Sequence, residues 1–362
     1  MKTLLALLLS VTFAASAAAQ TSDWQKTWKE TLAAAKKEGK VVIVGSPDPV
    51  MREQVIPKFT DRYGIKVEYI AGSSSQLAAR VRTERSSDLY TVDVFMSGAN
   101  TTLNTMMPAK MLDPMKPLLI LPEVTEGKYW KRGAPWFVDR EGQYVLALFS
   151  TVDSFLFINT DVVKDQLKSV QDLLDPKWKG KISTQDPRLS GTGSNTAGYF
   201  YRELGPDFVK KLYIDQKPII SNDRRQMTDW LARGTYPICL SCRADDMKDL
   251  IKDGFKLKEV YALPGIKERT IVGSPFLLSI ANKAPDPNAA RIFVNWMATK
   301  EAVEIYAQNF GAVPLRTDTD ETALDPESIP KPGVDYADDT DPDWIMTGRV
   351  ETAKKVRALL KQ

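Results

Sequence analysis

The feature that most constrains this chain is an alternation of short apolar strands with amphipathic helices. A polar helix around Trp24 to Glu38 precedes Lys40 to Gly45, a β-branched run whose pattern indicates a buried strand. A helix near Met51 to Tyr63 and a strand at Ile65 to Ile70 follow, and the alternation continues beyond them. Strands and helices that alternate at this spacing predict an α/β fold with a parallel sheet.

The length of the chain favours two domains. The sequence has 362 residues, whereas a single hydrophobic core usually stops growing at about 250–300 residues. A second α/β pattern occupies the middle of the chain, with predicted strands at Gly180 to Ser183 and Thr235 to Leu240. Before it, Gly142 to Ser150 and Phe155 to Asn159 predict a strand pair that the polar Thr151 to Asp153 interrupts.

The first residues have the pattern of an export signal. Lys2 supplies a positive charge, Leu4 to Phe13 is almost wholly apolar, and Ala17 to Ala19 offers the small residues that signal peptidase accepts. The apolar run is shorter than the roughly 18 residues that a membrane-spanning helix needs. Gln20 rather than Cys follows the predicted cleavage site, so we expect no lipid anchor. We therefore predict a signal peptide over residues 1–19 and a periplasmic mature protein.

Composition restricts the chemistry that the chain can perform. It contains no His, which excludes Ser-His-Asp and Cys-His catalysis and His-ligated metal sites. The formal net charge is +3 without a polybasic run, so we expect no nucleic-acid or membrane-surface partner. A secreted lyase or hydrolase would need two carboxylates with separated pKa values, and Asp48 and Asp186 are the candidates.

The two cysteines, Cys239 and Cys242, are separated by two residues. In an oxidising compartment such a pair can form a disulfide, whereas a free thiolate at Cys242 would suit a soft metal. The sequence does not decide between these states. A disulfide would stiffen the turn that carries Ser241.

Polar and glycine-rich turns follow the predicted strands in both halves of the chain. In open α/β sheets, ligands bind beyond the carboxyl ends of the strands, where helix N-termini offer free N–H groups to carboxylate, phosphate or sulfonate. For each serine in these turns, capping of a helix is the alternative role. The candidate ligand-binding residues are Ser46, Ser73, Ser74, Asn100, Asp186, Arg188, Thr192 and Ser241.

Two of these candidates favour different ligand groups. Arg188 lies in a Pro- and Gly-rich turn and could hold a carboxylate with two hydrogen bonds. Asp186 would instead favour an amine or a hydroxyl. A sugar-like or amino-acid-like compound could satisfy both residues.

Three stretches together carry a family resemblance. They are Asp93–Gly98 before a helix, Phe157–Thr160 followed by Val170–Ile182, and Trp230–Gly234 before a strand. They resemble type-II periplasmic solute-binding proteins (extracellular solute-binding family 1), in the branch of the ferric-ion- and hexose-phosphate-binding receptors. The "DLLDPKWKGKI" segment is the most specific, and the resemblance extends over about residues 40–316.

The resemblance implies two Rossmann-like α/β lobes with a hinge and an inter-lobe cleft that closes on the ligand. It also implies a monomer without catalysis or cofactor, which delivers a small molecule to the membrane permease of an ABC importer. The crossings between lobes are expected near Phe149–Asp153 and Ser274–Leu278. The expected lobes are 20–149 with 276–316, and 150–275 with 317–362.

The chain departs from the ferric receptors at one turn. Those receptors have adjacent tyrosines after the strand that matches Thr235–Leu240, whereas this chain has Ser241 and Cys242 and lacks His. We therefore expect an organic or phosphorylated anion as ligand. A ferric-ion or metal-chelate receptor remains the alternative within binding proteins. A sensor subunit and a carboxylate-based enzyme are the alternatives from other classes.

Overall fold

The computed structural model describes residues 23–189, 191–272, 277–310 and 312–361. The predicted α/β class is confirmed, because strands and helices alternate throughout these residues. The chain divides into two compact units. The first contains the described residues of Met1–Phe149 and Gly273–Ala323, and the second those of Ser150–Val272 and Leu324–Gln362. The predicted signal peptide and the start of the predicted crossing at Ser274 lie outside the described residues.

The strands are numbered in chain order. They are β1 (Lys40–Gly45), β2 (Lys66–Ala71), β3 (Val94–Ser97), β4 (Leu112–Asp113), β5 (Trp136–Phe137), β6 (Leu146–Ala147), β7 (Thr151–Asp153), β8 (Leu156–Asn159), β9 (Ile182–Thr184), β10 (Ile219–Ile220), β11 (Ile238–Cys239), β12 (Leu257–Val260), β13 (Arg269–Ile271), β14 (Leu277–Ala281) and β15 (Ala337–Asp338).

The α-helices are numbered in the same way. They are α1 (23–38), α2 (Ile56–Tyr63), α3 (Ser74–Ser86), α4 (Ala99–Thr101), α5 (Pro122–Thr125), α6 (Thr160–Val163), α7 (Thr192–Lys210), α8 (Arg224–Ala232), α9 (Ala244–Lys252), α10 (Pro287–Met297), α11 (Lys300–Phe310) and α12 (Arg349–Leu359). Short 3₁₀ or π-helical turns cover Met51–Val55, Thr102–Met106, Lys116–Leu118, Gly127–Tyr129, Val170–Leu174, Pro176–Trp178, Lys211–Asp215 and Trp344–Gly348. None of the helices in the described part of the chain is both long and apolar enough to cross a membrane.

The first unit is built on one mixed sheet in the order β2-β1-β3-β14-β6-β5, with β4 also paired to β14. β1 runs parallel to β2 and β3, and it is buried after its first residue, as expected for a parallel strand covered on both faces. Gly45 lies opposite both Ala71 and Met96. The turns that follow these three strands therefore leave the sheet at the same edge.

Two helices of the first unit share an aromatic core. Phe59 of α2 packs against Phe293 and Trp296 of α10, with ring centroids 5.1 and 5.3 Å away. All three side chains are fully buried. Burial of such large rings is a dominant source of stability for a unit of this size.

The second unit contains a five-stranded sheet in the order β10-β9-β11-β8-β12. β10, β9 and β11 are parallel, and β8 is antiparallel to β11 and β12. β11 is shorter than the predicted Thr235–Leu240, because the Thr235 N–H donates to the Trp230 carbonyl at 3.0 Å and so ends the preceding helix. The turns after β9, β10 and β11 leave this sheet at a common edge.

A separate three-stranded sheet, β15-β13-β7, completes the second unit. The prediction that Thr151–Asp153 only interrupts a strand pair was wrong, because these residues form β7, which is antiparallel to β13. Thr151 and Val152 are β-branched, which suits a strand. Their pairing partners lie more than 100 residues further along the chain, beyond the reach of local pattern.

The end of the chain packs onto the second unit. α12 lies against α7, and its Val356 is fully buried in the core of that unit. Residues 317–323, which the sequence assigned to the second lobe, instead belong to the first unit. The reason is the fully buried Arg316, which forms an ion pair with Asp318 at 2.8 Å, together with the Lys131–Glu321 pair.

Candidate ligand-binding edges of the two units

We call residues 46–48, 72–74 and 98–100 the first edge, because they follow β1, β2 and β3. Ser74 Oγ accepts the Gly98 N–H at 3.3 Å, so the second and third of these turns are in contact. The Ser46 carbonyl accepts the Tyr69 hydroxyl at 2.5 Å, which ties the first turn to β2. The structure therefore brings the predicted residues of the first half to one end of one sheet.

The serines and the amide of the first edge differ in availability. Ser73 is the N-cap of α3, and its Oγ accepts the Gln76 N–H at 3.4 Å. The Ser73 hydroxyl donates to Gln76 Oε1 at 2.8 Å, so Ser73 and Gln76 form a variant of the capping box. Ser46 and Ser74 are half-buried, and Asn100 is exposed with its Oδ1 accepting from Asn104 Nδ2 at 2.8 Å.

Asp48 has a structural role in the first edge. It is 2% exposed, and its two oxygens accept the Met51 N–H at 3.0 Å and the Tyr306 hydroxyl at 2.9 Å. Burial and the neighbouring Asp48 carboxylate both raise the pKa of Tyr306. Both oxygens of Asp48 are thus engaged within the unit.

Sequence reasoning missed two residues beside the first edge. The Tyr69 side chain crosses over Gly45, where a Cβ would overlap with its hydroxyl. The exposed Arg52 guanidinium lies 5.8 Å from the centroid of the Tyr69 ring, and within the described residues it has no carboxylate at ion-pair distance. The sequence feature that could have identified Arg52 is its position four residues after Asp48, in the helical turn Met51–Val55 that follows β1.

We call residues 185–189, 191–192, 221–223 and 240–243 the second edge, because they follow β9, β10 and β11. Asp186 and Arg188 form a two-fold hydrogen-bonded ion pair there, with Nε–Oδ1 and Nη2–Oδ2 distances of 2.8 Å. The Asp186 N–H donates to Asn222 Oδ1 at 3.2 Å. Hydrogen bonds from Arg188 lower the pKa of Asp186. The pair therefore presents a partly neutralised guanidinium rather than an isolated cation.

The N-terminus of α7 is tightly packed against the turn after β9. Its N-cap, Gly191, has a φ of 145° that disfavours any residue with a side chain. A Cβ at Gly193 would lie 2.6 Å from the Gln185 carbonyl oxygen. Thr192, the first residue of the helix, is half-buried. The glycines thus bring the amino end of α7 to the second edge.

Helix capping differs among the three helices that begin at the second edge. Asp223 caps α8 by accepting the Gln226 N–H at 3.1 Å. α7 and α9 begin after Gly191 and Arg243, and in the described part of the chain neither N-cap residue supplies a side-chain cap. Uncapped N–H groups and the helix dipole favour an anionic partner at such ends.

Ser241 lies beneath the second edge. Its side chain is 2% exposed, its Oγ accepts the Gln185 N–H, and it is 3.3 Å from Thr184 Oγ1. Cys239 and Cys242 on either side of it form a disulfide, so Cys242 is not a thiolate. Across the described residues, three or more Asp, Glu or Cys side chains are nowhere grouped so that they could hold a metal ion.

A surface cavity of about 450 Å³ lies elsewhere in the first unit. α2 and α11 contribute to its lining, where Arg62 Nη1 and Glu301 Oε2 form an ion pair at 2.5 Å. Its lining includes no residue of the first edge. The candidate ligand-binding residues are therefore defined by the strand ends and not by this cavity.

In each unit, polar turns follow the carboxyl ends of parallel strands, the position at which open α/β sheets bind ligands. Residues 45–304 match the family model described as bacterial extracellular solute-binding protein. The match covers well over half of the chain, and the chain belongs to this family. The predicted family and the predicted solute-binding function are confirmed.

Solved structures of periplasmic binding proteins share the fold. The protein AfuA of Actinobacillus pleuropneumoniae, solved with exogenous fructose-6-phosphate, is 20% identical with a TM-score of 0.63, over 89% of this chain and 99% of that one. The apo ferric ion-binding protein A of Pasteurella haemolytica is 15% identical with a TM-score of 0.67, over 89% and 98%. The predicted two-lobed class of periplasmic binding proteins is confirmed.

A sequence relative is an uncharacterized protein of Haemophilus influenzae. It is 24% identical over 312 residues, which are 82% of this chain and 84% of the relative. The similarity thus extends over most of both chains.

Proposed function

We propose that this chain is the periplasmic, non-catalytic binding component of an ABC importer, and that its ligand is a small organic or phosphorylated anion. Membership of the solute-binding family supports capture of a small molecule. In this proposal residues 1–19 direct export, the mature protein is a monomer, and its protein partner is the membrane permease. Nucleic acid and cofactors have no part in it.

The observation that carries the ligand class is the N-terminus of α7, which has no side-chain cap among the described residues and shares the second edge with Arg188. Phosphate and carboxylate oxygens accept hydrogen bonds from free N–H groups at helix N-termini. The Thr192 hydroxyl lies at the same end of this helix, and Arg188 is 47% exposed in its side chain. These groups donate hydrogen bonds, which suits an anion with several acceptor oxygens.

Asp186 narrows the proposed ligand further. Asp186 already accepts hydrogen bonds from Arg188. An anion that bound to Arg188 would therefore also lie close to the Asp186 carboxylate. A ligand that bears hydroxyl groups next to its anionic group avoids this repulsion, because a hydroxyl donates to Asp186. Sugar phosphates and hydroxy acids have this combination.

The proposal assigns the first edge a matching set of groups. Ser46, Ser74 and Asn100 offer hydroxyl and amide groups, and Arg52 adds a positive charge beside them. Ser73 is occupied as the cap of α3. We therefore propose Ser46, Ser74 and Asn100 as the ligand-binding groups of the first unit.

The absence of catalysis is supported by the state of the two candidate acids. Asp48 is buried and accepts two hydrogen bonds, while Asp186 is paired with Arg188. A pair of carboxylates that act as acid and base needs separated pKa values in one site. The pKa of Asp186 is lowered, which does not suit a general acid.

Thermal unfolding of residues 20–362 with added compounds tests the proposal. Fructose-6-phosphate, inorganic phosphate, citrate, amino acids and ferric citrate form the panel. A ligand at about a thousand times its Kd adds about 4 kcal/mol to the stability of the folded state, which raises Tm by several degrees. We expect the shift from phosphorylated or hydroxylated anions.

Variants identify the groups responsible for such a shift. Arg188→Gln and Arg52→Gln should each weaken binding of the anion. Arg233→Gln is the matched control, since Arg233 is an exposed arginine that pairs with Asp229 on α8. A shift from ferric citrate alone, or turnover of a bound compound, would contradict the proposal.

A further inference from the structure

We infer that Ser241 is a positioning residue of the second edge, which the Cys239–Cys242 disulfide holds in place. It orients the turn after β9 and the N-terminus of α7 without itself contacting the ligand. The inference deepens the proposed function and rests on it for what the edge binds. The Ser241–Gln185 hydrogen bond and the Cys239–Cys242 disulfide are themselves independent of any ligand.

Ser241 continues a strand pairing beyond the point where the backbone pairing ends. The N–H of Leu240, the residue after β11, donates to the Ser183 carbonyl of β9 at 2.9 Å. One residue further, the Ser241 hydroxyl takes over and accepts the Gln185 N–H. The turn after β9 is thereby fixed at its first residue by a side chain.

Gln185 connects this contact to the groups proposed to bind the anion. It directly precedes Asp186, which holds Arg188. Its carbonyl also packs against Gly193 of α7, where a Cβ would lie 2.6 Å away. A shift of Gln185 would therefore move both the Asp186–Arg188 pair and the start of α7.

The disulfide fixes the orientation of Ser241. Cys239 is in β11 and fully buried, and Cys242 is 9% exposed. Both pack in one apolar cluster with Met227 and Met247. The covalent link closes the turn around Leu240 and Ser241 and so restricts the backbone rotations that would turn the hydroxyl outward. Restricting a binding loop before the ligand arrives reduces the entropy lost on binding.

Hydrogen exchange of the ligand-free protein tests the inference. In Ser241→Ala, the backbone N–H groups of residues 185, 186, 188, 189 and 191–193 should exchange about fivefold faster, which corresponds to the about 1 kcal/mol that a hydrogen bond of this kind contributes. Ser241→Thr, which keeps the hydroxyl, should restore protection. The double variant Cys239→Ala/Cys242→Ala, and the wild-type protein reduced with dithiothreitol, should both show faster exchange in the same segment.

Val356→Ala is the matched control for general destabilisation. Val356 is buried in the core of the same unit, on α12, and is not itself a residue of the second edge. Equal acceleration of 185–193 in Val356→Ala, or unchanged exchange in Ser241→Ala, would overturn the inference. If Ser241→Ala does not fold, hydrogen exchange of the reduced wild-type protein tests the inference instead. Unchanged exchange in the reduced protein would overturn the role of the disulfide.

A binding measurement separates this inference from the proposed function. Fructose-6-phosphate and inorganic phosphate are the probes. A positioning role predicts a loss of affinity in Ser241→Ala that Ser241→Thr restores. If neither probe binds the wild-type protein, the proposed ligand class fails for these probes, while the exchange experiment still decides the role of Ser241.

Discussion

At the scale of single residues, the buried carboxylate of Asp93 ties distant segments of the chain together. Asp93 is fully buried and accepts the Val42 N–H at 2.7 Å and the Asp286 N–H at 2.8 Å. It thereby joins β1 to the start of α10. Burial disfavours its charged form and raises its pKa to about 6 from an ordinary value of 3.8.

This raised pKa predicts a pH-dependent stability. A carboxyl with a raised pKa in the folded state stabilises that state fully below its unfolded pKa, and this contribution is lost as pH rises through 6. Relative to Asp93→Asn, the free energy of unfolding of the wild type should fall by about 2.4 kcal/mol from about pH 4 to about pH 7. This is most of the about 3 kcal/mol that the full shift of the pKa from 3.8 to about 6 implies at about 1.36 kcal/mol per pKa unit. Urea unfolding of both proteins measures it. A difference independent of pH would contradict the prediction.

The second prediction at this scale concerns Gly193. A Cβ there would lie 2.6 Å from the Gln185 carbonyl oxygen, so Gly193→Ala should destabilise the protein by about 1–3 kcal/mol through overpacking. It should also weaken ligand binding. Gly198→Ala in the same helix is the control, because the nearest atom to a Cβ there is Thr352 Cγ2 at 3.7 Å.

Helix propensity sets the expected sign for the control. Ala is favoured over Gly in a helix interior by up to about 1 kcal/mol, so Gly198→Ala should be neutral or stabilising. Urea unfolding compares the two variants. Similar losses in both would show that the close contact with Gln185 does not decide the effect.

At the scale of elements, the loop that leads into α12 is more deeply integrated than its composition predicts. Residues Glu327–Asp343 are rich in Pro and Asp, a composition typical of a surface loop, but part of this segment is buried. It supplies β15, and Asp339 is 6% exposed. Asp339 forms ion pairs with Arg202 at 2.9 Å and Arg349 at 3.2 Å.

Loss of Asp339 should therefore be costly. Asp339→Ala leaves the half-buried Arg202 and Arg349 and the buried Arg269 without their shared carboxylate, and breaking a buried pair in this way destabilises by about 3–5 kcal/mol. Asp335→Ala in the same segment is the control, since Asp335 is 80% exposed in its side chain and pairs with Lys267. We expect the control to change stability by less than about 1 kcal/mol. Urea unfolding measures both, and equal losses would contradict the buried network.

At the scale of the whole molecule, the division into two units affects how stability is measured. Each unit has its own sheets and its own core. Proteins with more than one domain often unfold in more than one step. Stability changes in the variants above are therefore best followed with probes in the unit that carries the substitution.

Export is the prediction that belongs to the whole chain. If residues 1–19 are a signal peptide, protein recovered from the periplasm should begin at Gln20, as intact-mass spectrometry would detect. Replacing Ala17 and Ala19 with bulky residues removes the small side chains that signal peptidase accepts, and the precursor should then accumulate. A periplasmic protein that still begins at Met1 would contradict the prediction.

The sequence by itself determined the α/β class, the family and the strand ends that carry the polar turns. These follow from local signals: the β-branched run of β1, the periodicity of the helices, and the segment Asp172–Ile182. Local order decides them because strand and helix patterns repeat within a few residues. The sequence did not determine whether Cys239 and Cys242 form a disulfide, since neighbouring cysteines are compatible with several states.

The tertiary structure alone decided what each candidate side chain contacts. Ser241 points inward to Gln185, Asp186 pairs with Arg188, and Asp339 is buried. Ser241 and Gln185 are 56 positions apart, and Asp339 and its partner Arg202 are 137 positions apart. Such contacts depend on how whole elements pack, and no periodicity within one segment encodes them.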